Sequence, residues 1–512
     1  MWDIIIVLGY FVLIFGVAFQ GRLKASAPAE AYFLSNRNLR WYSIAFSTVA
    51  TNVQGYQFLG MMGSAYLYGL AQANLEINAV QGLLLAAFVF VPVFLQARVT
   101  TISEYIKQRL GNRLGMVYSL ANIGLFSTIT LGAALFWGAY AAELVFQEAL
   151  SFLHPNRIIR ILILIFGLGS FSAIYTYLGG LGAVVKTDVI QFIILFIGGV
   201  VVLYTAVDAL GGWNQLQLKT PEKMHLHLPA NHPVLPWTHI LGLFFLNINY
   251  WCANQTVIQR SLAARSLADA QTGLLVGGLL KYGMAVLIIV PGIALYGVLG
   301  DSLGEPDQAF PYWVNSLPTG IKGLILCGLF ASLMSTVDST FNSIATLWAV
   351  DIYKPYLRPQ ATEAQQIGAG RQAILWSFAS ALLMGAVLTY IKFENPEAAF
   401  THTLNSLRYY FNCGFVVLIC VAVWSLQPDK KWVLAAFIFT VPLNIALQFG
   451  WPDLNYFVRA FVVIVTGLGI ALGGSRTPLK SLVALFQSGG PWQSRGGWAL
   501  ALSLLVLHFI FH

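Results

Sequence analysis

A chain of 512 residues with 58% hydrophobic side chains and only 9% charged ones does not fit a soluble fold, in which about 25% of residues carry charge. Its formal charge of +8 is scattered through short loops, as membrane topology distributes Lys and Arg, so it does not mark a nucleic-acid surface. Apolar runs of about 20 residues recur, each long enough to cross roughly 30 Å of hydrocarbon. They lack the alternation of a membrane barrel. The expected class is an all-α polytopic membrane protein.

The first run, "WDIIIVLGYFVLIFGVAF", has Asp3 before it and Arg22 and Lys24 after it. A cleaved leader has the opposite order, so this reads as a retained helix with its N-terminus outside. About fourteen spans are expected, near 2–20, 41–70, 76–97, 114–147, 158–177, 184–208, 236–260, 272–300, 320–350, 371–392, 400–426, 431–449, 456–473 and 495–511. Arg37, Arg40, Arg98, Lys107, Arg109, Arg113, Arg260 and Arg265 then fall in cytoplasmic loops, and far fewer basic residues fall outside. That bias suits a plasma (inner) membrane protein in this orientation. The loop 209–235, expected outside, carries His225, His227 and His232. A polar, Pro-containing loop with scattered histidines explains them better than a metal site. Cys252, Cys327, Cys413 and Cys420 lie in apolar runs without ligand spacing and read as small core residues.

Three polar spots stand inside the spans. In "SIAFSTVATNVQGYQFLG", Asn52, Gln54, Gly55 and Gln57 interrupt span two. A broken helix at mid-depth is tolerated only where it is buried in protein or lines a wet cavity, and its freed carbonyls suit a hard cation such as Na⁺. A kink sealed by internal hydrogen bonds is the alternative. In "GLFASLMSTVDSTFNSIATL", Ser332, Ser335 and Thr336 share one face of span nine. In "FLNINYWCANQTVIQR", Asn247 and Asn249 interrupt span seven just before Tyr250 and Trp251. Two interrupted helices five spans apart are the trace of an inverted repeat with a midplane substrate site. Spans two to six (41–208) and seven to eleven (236–426) would be its halves. Residues 1–40 would form an extra N-terminal helix and the first cytoplasmic loop, and 427–512 three peripheral helices.

Charged residues also enter the spans. Glu76 opens span three, Asp188 opens span six, Lys281 lies in span eight and Arg408 in span eleven. Each costs at least about 2.5 kcal/mol unless it has a partner or a task. An ion pair of Glu76 with Lys281 is the structural reading. The Cys, His and carboxylate positions form no nucleophile or metal constellation, so no enzyme is expected.

Four ordered stretches, "YFLSNRNLRWYSIAFSTVATNVQGYQFLG", "YLGGLGAVVKTDVIQ", "NYWCANQTVIQRSLAARSLADAQ" and "SLMSTVDSTFNSIATLWAVDIYK", resemble the sodium:solute symporter family over roughly residues 30 to 425. The closest look is to its sodium–sugar branch. The resemblance implies a leucine-transporter type of fold with a 5+5 core, and Na⁺ as coupling ion. It implies Na⁺ ligands at the carbonyls of Ala50, Val53 and Ser332 and the hydroxyls of Ser335 and Thr336. It implies a solute pocket of Gln57, Glu76, Asn247, Lys281 and Asn405, with Tyr250 and Trp251 as the gate. Amides, a carboxylate and an ammonium suit the hydroxyls of a neutral sugar or polyol. Leu75 and Ala79 depart from the branch toward a less polar pocket, which leaves the particular sugar open. Asp188 and Asp338 are candidates for a second cation site. Against that stand a pairing of Asp188 with Lys186 and a local backbone cap at Asp338. The expected partners are Na⁺, a small sugar or polyol and the lipid bilayer, with no nucleic acid and no obligatory protein partner. The competing functions are symport of a carboxylate or amino acid anchored by Arg408, and a membrane sensor. The sensor is disfavoured because the sequence ends in an apolar span without a signalling module.

Overall fold

The computed structural model describes residues 2–21, 27–54, 57–303, 308–394, 400–475, 478–481 and 486–512; the side chains of 149, 400–406 and 475 lie outside the description. The main helices are α1 (Trp2–Gln20), α2 (Trp41–Asn52), α3 (Gln57–Gln96), α4 (Asn112–Glu148) and α5 (Arg157–Leu210). They continue with α6 (His239–Asn247), α7 (Gln255–Leu262), α8 (Leu267–Leu299), α9 (Ile321–Leu357) and α10 (Glu363–Glu394). The last four are α11 (Phe400–Trp424), α12 (Lys430–Gly450), α13 (Tyr456–Ser475) and α14 (Pro491–Ile510).

Among the described residues, ten helical segments are long and apolar enough to cross a membrane. This number differs from the number of expected spans partly because helices merge and break. The 54 residues of α5 contain both expected spans 158–177 and 184–208. They turn at Gly180, whose φ of 58° is a left-handed conformation that glycine adopts without strain. Conversely, the expected span 41–70 is divided into α2 and the start of α3.

Burial ranks the helices by distance from the centre. The most apolar window of α9 is 94% buried, whereas that of α1 is 17% buried. The polar face of α9 is therefore wrapped by protein, and α1 leans on α5 and α9 from outside. Glycines, alanines and hydroxyl residues let α5 and α9 approach closely, as small residues do between membrane helices. All four cysteines are free and buried.

Both interrupted helices are broken, but the second break is not where the amides suggested. α2 ends at Asn52, and Val53 leaves the helix at φ −74°, ψ 103° before the chain resumes at Gln57 in widened turns. In the second half, Asn247 stays helical, and Ile248–Ala253 continue as widened turns through Asn249. The chain leaves the helix only at Asn254, at φ −78°, ψ 118°. The reason is local: the Asn254 carboxamide oxygen accepts the Thr256 N–H at 2.9 Å and starts α7 as its N-cap.

Candidate solute and cation site

Between the two breaks lies a cavity of about 600 Å³, within the range of small-molecule sites. Gln57, Glu76, Asn247, Lys281, Tyr250 and Trp251 all line it. Gln57, Tyr250 and Trp251 lie in the widened turns at Gln57–Met61 and Ile248–Ala253, a frequent feature of functional sites. Asn405, expected here too, has a side chain outside the described residues. Leu75 and Ala79 line the wall, and so does Arg408.

The charged pair at the centre is the one expected on structural grounds. Lys281 Nζ is paired with Glu76 Oε2 and also donates to Asn52 Oδ1. Both side chains are buried. Gln57 Nε2 donates to Glu76 Oε1 at 2.9 Å, and Gln57 Oε1 accepts the Gln54 N–H at 3.0 Å. Asn247 Nδ2 donates to the Asn78 carbonyl at 2.8 Å. Pairing and cavity lining are thus compatible: the pair keeps both charges tolerable in the membrane interior, while its polar edge faces open space. Tyr250 and Trp251 stand edge to face at 5.0 Å between ring centroids. Trp251 is seated against Gly82, where an added Cβ would fall 2.5 Å from the indole.

The hydroxyl face of α9 meets the end of α2. Ser332 Oγ donates to the Val53 carbonyl at 2.6 Å. Thr336 Oγ1 donates to the Thr51 carbonyl at 3.0 Å and to the Ser332 carbonyl at 3.3 Å. The Thr51 and Val53 carbonyls lie where α2 has run out of turns, so helix geometry offers them no further N–H. Oxygens of this kind suit Na⁺, a hard cation that asks for oxygen ligands. Ala50 is buried one residue earlier, but the carbonyl that meets Thr336 is that of Thr51. Ser335 faces another partner and donates to Asp188 Oδ1 at 2.5 Å. A hydroxyl that donates to a carboxylate still has lone pairs for a cation.

Asp188 does not pair with Lys186, which is exposed. Its partner is Arg260, at 3.1 Å. Arg260, expected in a cytoplasmic loop, is fully buried. The break at Asn254 brings it under α2, where its guanidinium donates to Thr51 Oγ1 at 2.7 Å and to Ser47, Ser339 and the Thr256 carbonyl. Ser47 donates in turn to Asp188. Asp338 does not cap local backbone as its main contact: Tyr175 donates its phenol to it from α5. Ser47, Thr51, Tyr175 and Arg260 carry no site role in the sequence reading, because each becomes polar machinery only through partners on other helices. The "R" closing "NQTVIQR" was the one available signal.

The three loop histidines do not meet one another around a metal. His232 caps the backbone of Leu235 at 2.9 Å, apart from the other two. Among the described residues no group of three or more His, Cys, Asp or Glu is placed to hold a metal ion.

The model of the sodium:solute symporter family matches residues 32–436. This chain belongs to that family. The symporter is 32% identical over 478 residues to a sodium/glucose cotransporter of Vibrio parahaemolyticus, covering 87% of this chain and 85% of the relative. It is 29% identical to sodium/myo-inositol cotransporter 2 of Mus musculus, over 72% of this chain and 59% of that one. Its structure matches a Na⁺-coupled sialic acid symporter with a TM-score of 0.81, over 94% of this chain and 99% of the other, at 19% identity. That likeness is one of fold. Family membership makes the chain an integral, multi-pass membrane transporter rather than an enzyme, with Na⁺ as its coupling ion.

Proposed function

We propose that this symporter imports a sugar or related polyol together with Na⁺ by alternating access. The observation that carries the reading is the cavity between the two helix breaks, in which a carboxylate, two amides and an ammonium face one space beside an aromatic pair. Such a set can accept from and donate to several hydroxyls while Tyr250 stacks on a ring and closes the inner side, with Trp251 behind it. The names of the sugar and inositol relatives support the same class. Gln57, Glu76, Asn247, Lys281 and Asn405 hold the solute. Na⁺ takes the carbonyls of Ala50, Val53 and Ser332 with the hydroxyls of Ser335 and Thr336, and the Thr51 carbonyl stands beside them. A second cation at Asp188 and Asp338 competes with Arg260 for the Asp188 carboxylate, so it needs Arg260 to withdraw.

In this reading about fourteen spans cross the plasma membrane with the N-terminus outside, and 41–208 and 236–426 are inverted halves. The deciding experiment is uptake into proteoliposomes, with and without an inward Na⁺ gradient, across neutral sugars, polyols, sugar acids and amino acids. Na⁺-dependent uptake of a neutral sugar or polyol is the expected result. Uptake of acids alone would move the assignment to an anion carrier anchored by Arg408.

A further inference from the structure

A second polar system touches the solute site from the outside of the bundle. His508, on α14, has its Nε2 3.1 Å from Asn78 Oδ1 and its Nδ1 3.1 Å from His227 Nε2. The His227 and His508 rings stack at 5.2 Å, and the His512 ring stands against His227 at 5.1 Å. The backbone ties the same three segments together. The Leu226 N–H donates to the Phe511 carbonyl at 2.7 Å, and the Leu226 carbonyl accepts from Asn74 Nδ2 at 2.6 Å.

Donor and acceptor roles along this chain are forced. Asn78 spends its Nδ2 on the carbonyl and side-chain oxygen of Asn74, at 3.0 Å each. Its Oδ1 can only accept, so His508 Nε2 carries a hydrogen. The neutral His508 Nδ1 then accepts, and His227 Nε2 donates to it. That leaves His227 Nδ1 as a bare lone pair. This atom is buried and, among the described residues, has no hydrogen-bond partner. A proton added at His508 Nδ1 sets two N–H groups against each other. A proton added at His227 Nδ1 buries an N–H without an acceptor. The first breaks the chain outright; the second leaves the His227 Nε2–H donating but penalises the buried arrangement that holds the two rings together.

Asn78 is the link to transport. It lies two residues after Glu76 on α3, and its carbonyl receives the Asn247 side chain at 2.8 Å. We propose that His508 is a positioning residue for the solute site, acting through Asn78, and that its hydrogen bond from His227 makes this support fail when the outside is acidic. The inference rests on the solute pocket proposed above.

The surroundings fit that role. Among the described residues, the titratable groups against the pair are His512, whose carbonyl lies 3.0 Å from His225 Nδ1, and His239 from the start of α6. Burial, with the His512 ring adding to it, holds the His227 imidazole below its ordinary value. It is therefore neutral at pH 7 and charges only below the usual imidazole range near pH 6.5. The support is present above that range and is lost as pH falls through the lowered value.

The test has two arms, run on the full chain. Hydrogen–deuterium exchange in nanodiscs, corrected for the intrinsic pH dependence, reads the amides of 224–237 and 503–512 at pH 7.5 and 5.5. Exchange should rise in both segments at pH 5.5. Uptake at fixed internal pH reads the apparent KM for the best solute of the panel. It should rise about threefold to tenfold at external pH 5.5 with Vmax nearly unchanged, the effect of one lost hydrogen bond. His508→Gln with His227→Gln keeps a donor and an acceptor at each position without titrating. That double variant should keep the pH 7.5 KM and lose the pH slope. His508→Leu cuts the chain and should show the acid KM at both pH values. A pH-independent KM or unchanged exchange in the wild type would overturn the proposal, as would a double variant with the wild-type slope. If no sugar or polyol is carried at any pH, the function reading fails instead, and the exchange arm still judges the latch.

Discussion

Glu76–Lys281 and Asp188–Arg260 are both buried ion pairs joining helices distant in sequence, yet they use their remaining hydrogen-bonding capacity differently. The first is met by amides, Gln57 and Asn52, and borders a cavity. The second is closed by the hydroxyls of Ser47, Thr51, Ser335 and Ser339 on α2 and α9. Amides beside an opening can exchange partners with a polar solute. Hydroxyls packed around a closed pair cross-link helices. Under the proposed function the first pair serves as the solute-binding surface and the second as a clasp beneath the carbonyls proposed for Na⁺, although the charges themselves are alike.

Removing the cation from the clasp should have the largest effect. Arg260→Ala leaves the Asp188 carboxylate buried without its counter-charge, at a cost of about 3–5 kcal/mol. Thermal unfolding in detergent should show a marked loss, and Asp188→Asn in the same background should restore part of it. Wild-type stability of Arg260→Ala would remove the clasp from the account. The cavity pair should respond differently, because space beside it admits water. Glu76→Gln should weaken apparent solute affinity by roughly 10-fold to 150-fold, the range for a hydrogen bond to a charged group. The Na⁺ concentration for half-activation at saturating solute should change little.

The reverse pattern is expected at the hydroxyl face. Ser335→Ala and Thr336→Ala should each raise the half-activating Na⁺ concentration about tenfold, with solute affinity at saturating Na⁺ nearly kept. Equal shifts in both quantities would merge the two sites into one. Gln57→Ala and Asn247→Ala should give the smallest solute effects, roughly 2-fold to 12-fold in KM for neutral hydrogen bonds. The Hill coefficient for Na⁺ tests the second cation: above one in the wild type and moving toward one in Asp188→Asn. A wild-type value of one, with one Na⁺ per solute, excludes that cation.

The sequence alone determined the membrane class, the interruption of two spans though not the position of the second break, the oxygen-rich face of α9, and Gln57, Glu76, Asn247 and Lys281 among the residues around the cavity. These follow from one-dimensional facts: lipid tolerates few amides and charges, and helical spacing places Ser332, Ser335 and Thr336 on one side. The family was legible for the same reason, in four ordered motifs. What only the tertiary structure decided is which polar groups answer one another. Arg260 read as a loop charge until the chain left the helix at Asn254 and α7 carried it under α2. Asp188 has a basic neighbour two residues away in sequence, but the helix turns Lys186 to the exposed side and brings Asp188 to Arg260 instead. His508 lies far along the chain from Asn78, and no spacing rule links them. Periodicity reports which face a side chain takes; partners across helices depend on where kinks and breaks aim those faces, and that is set by packing.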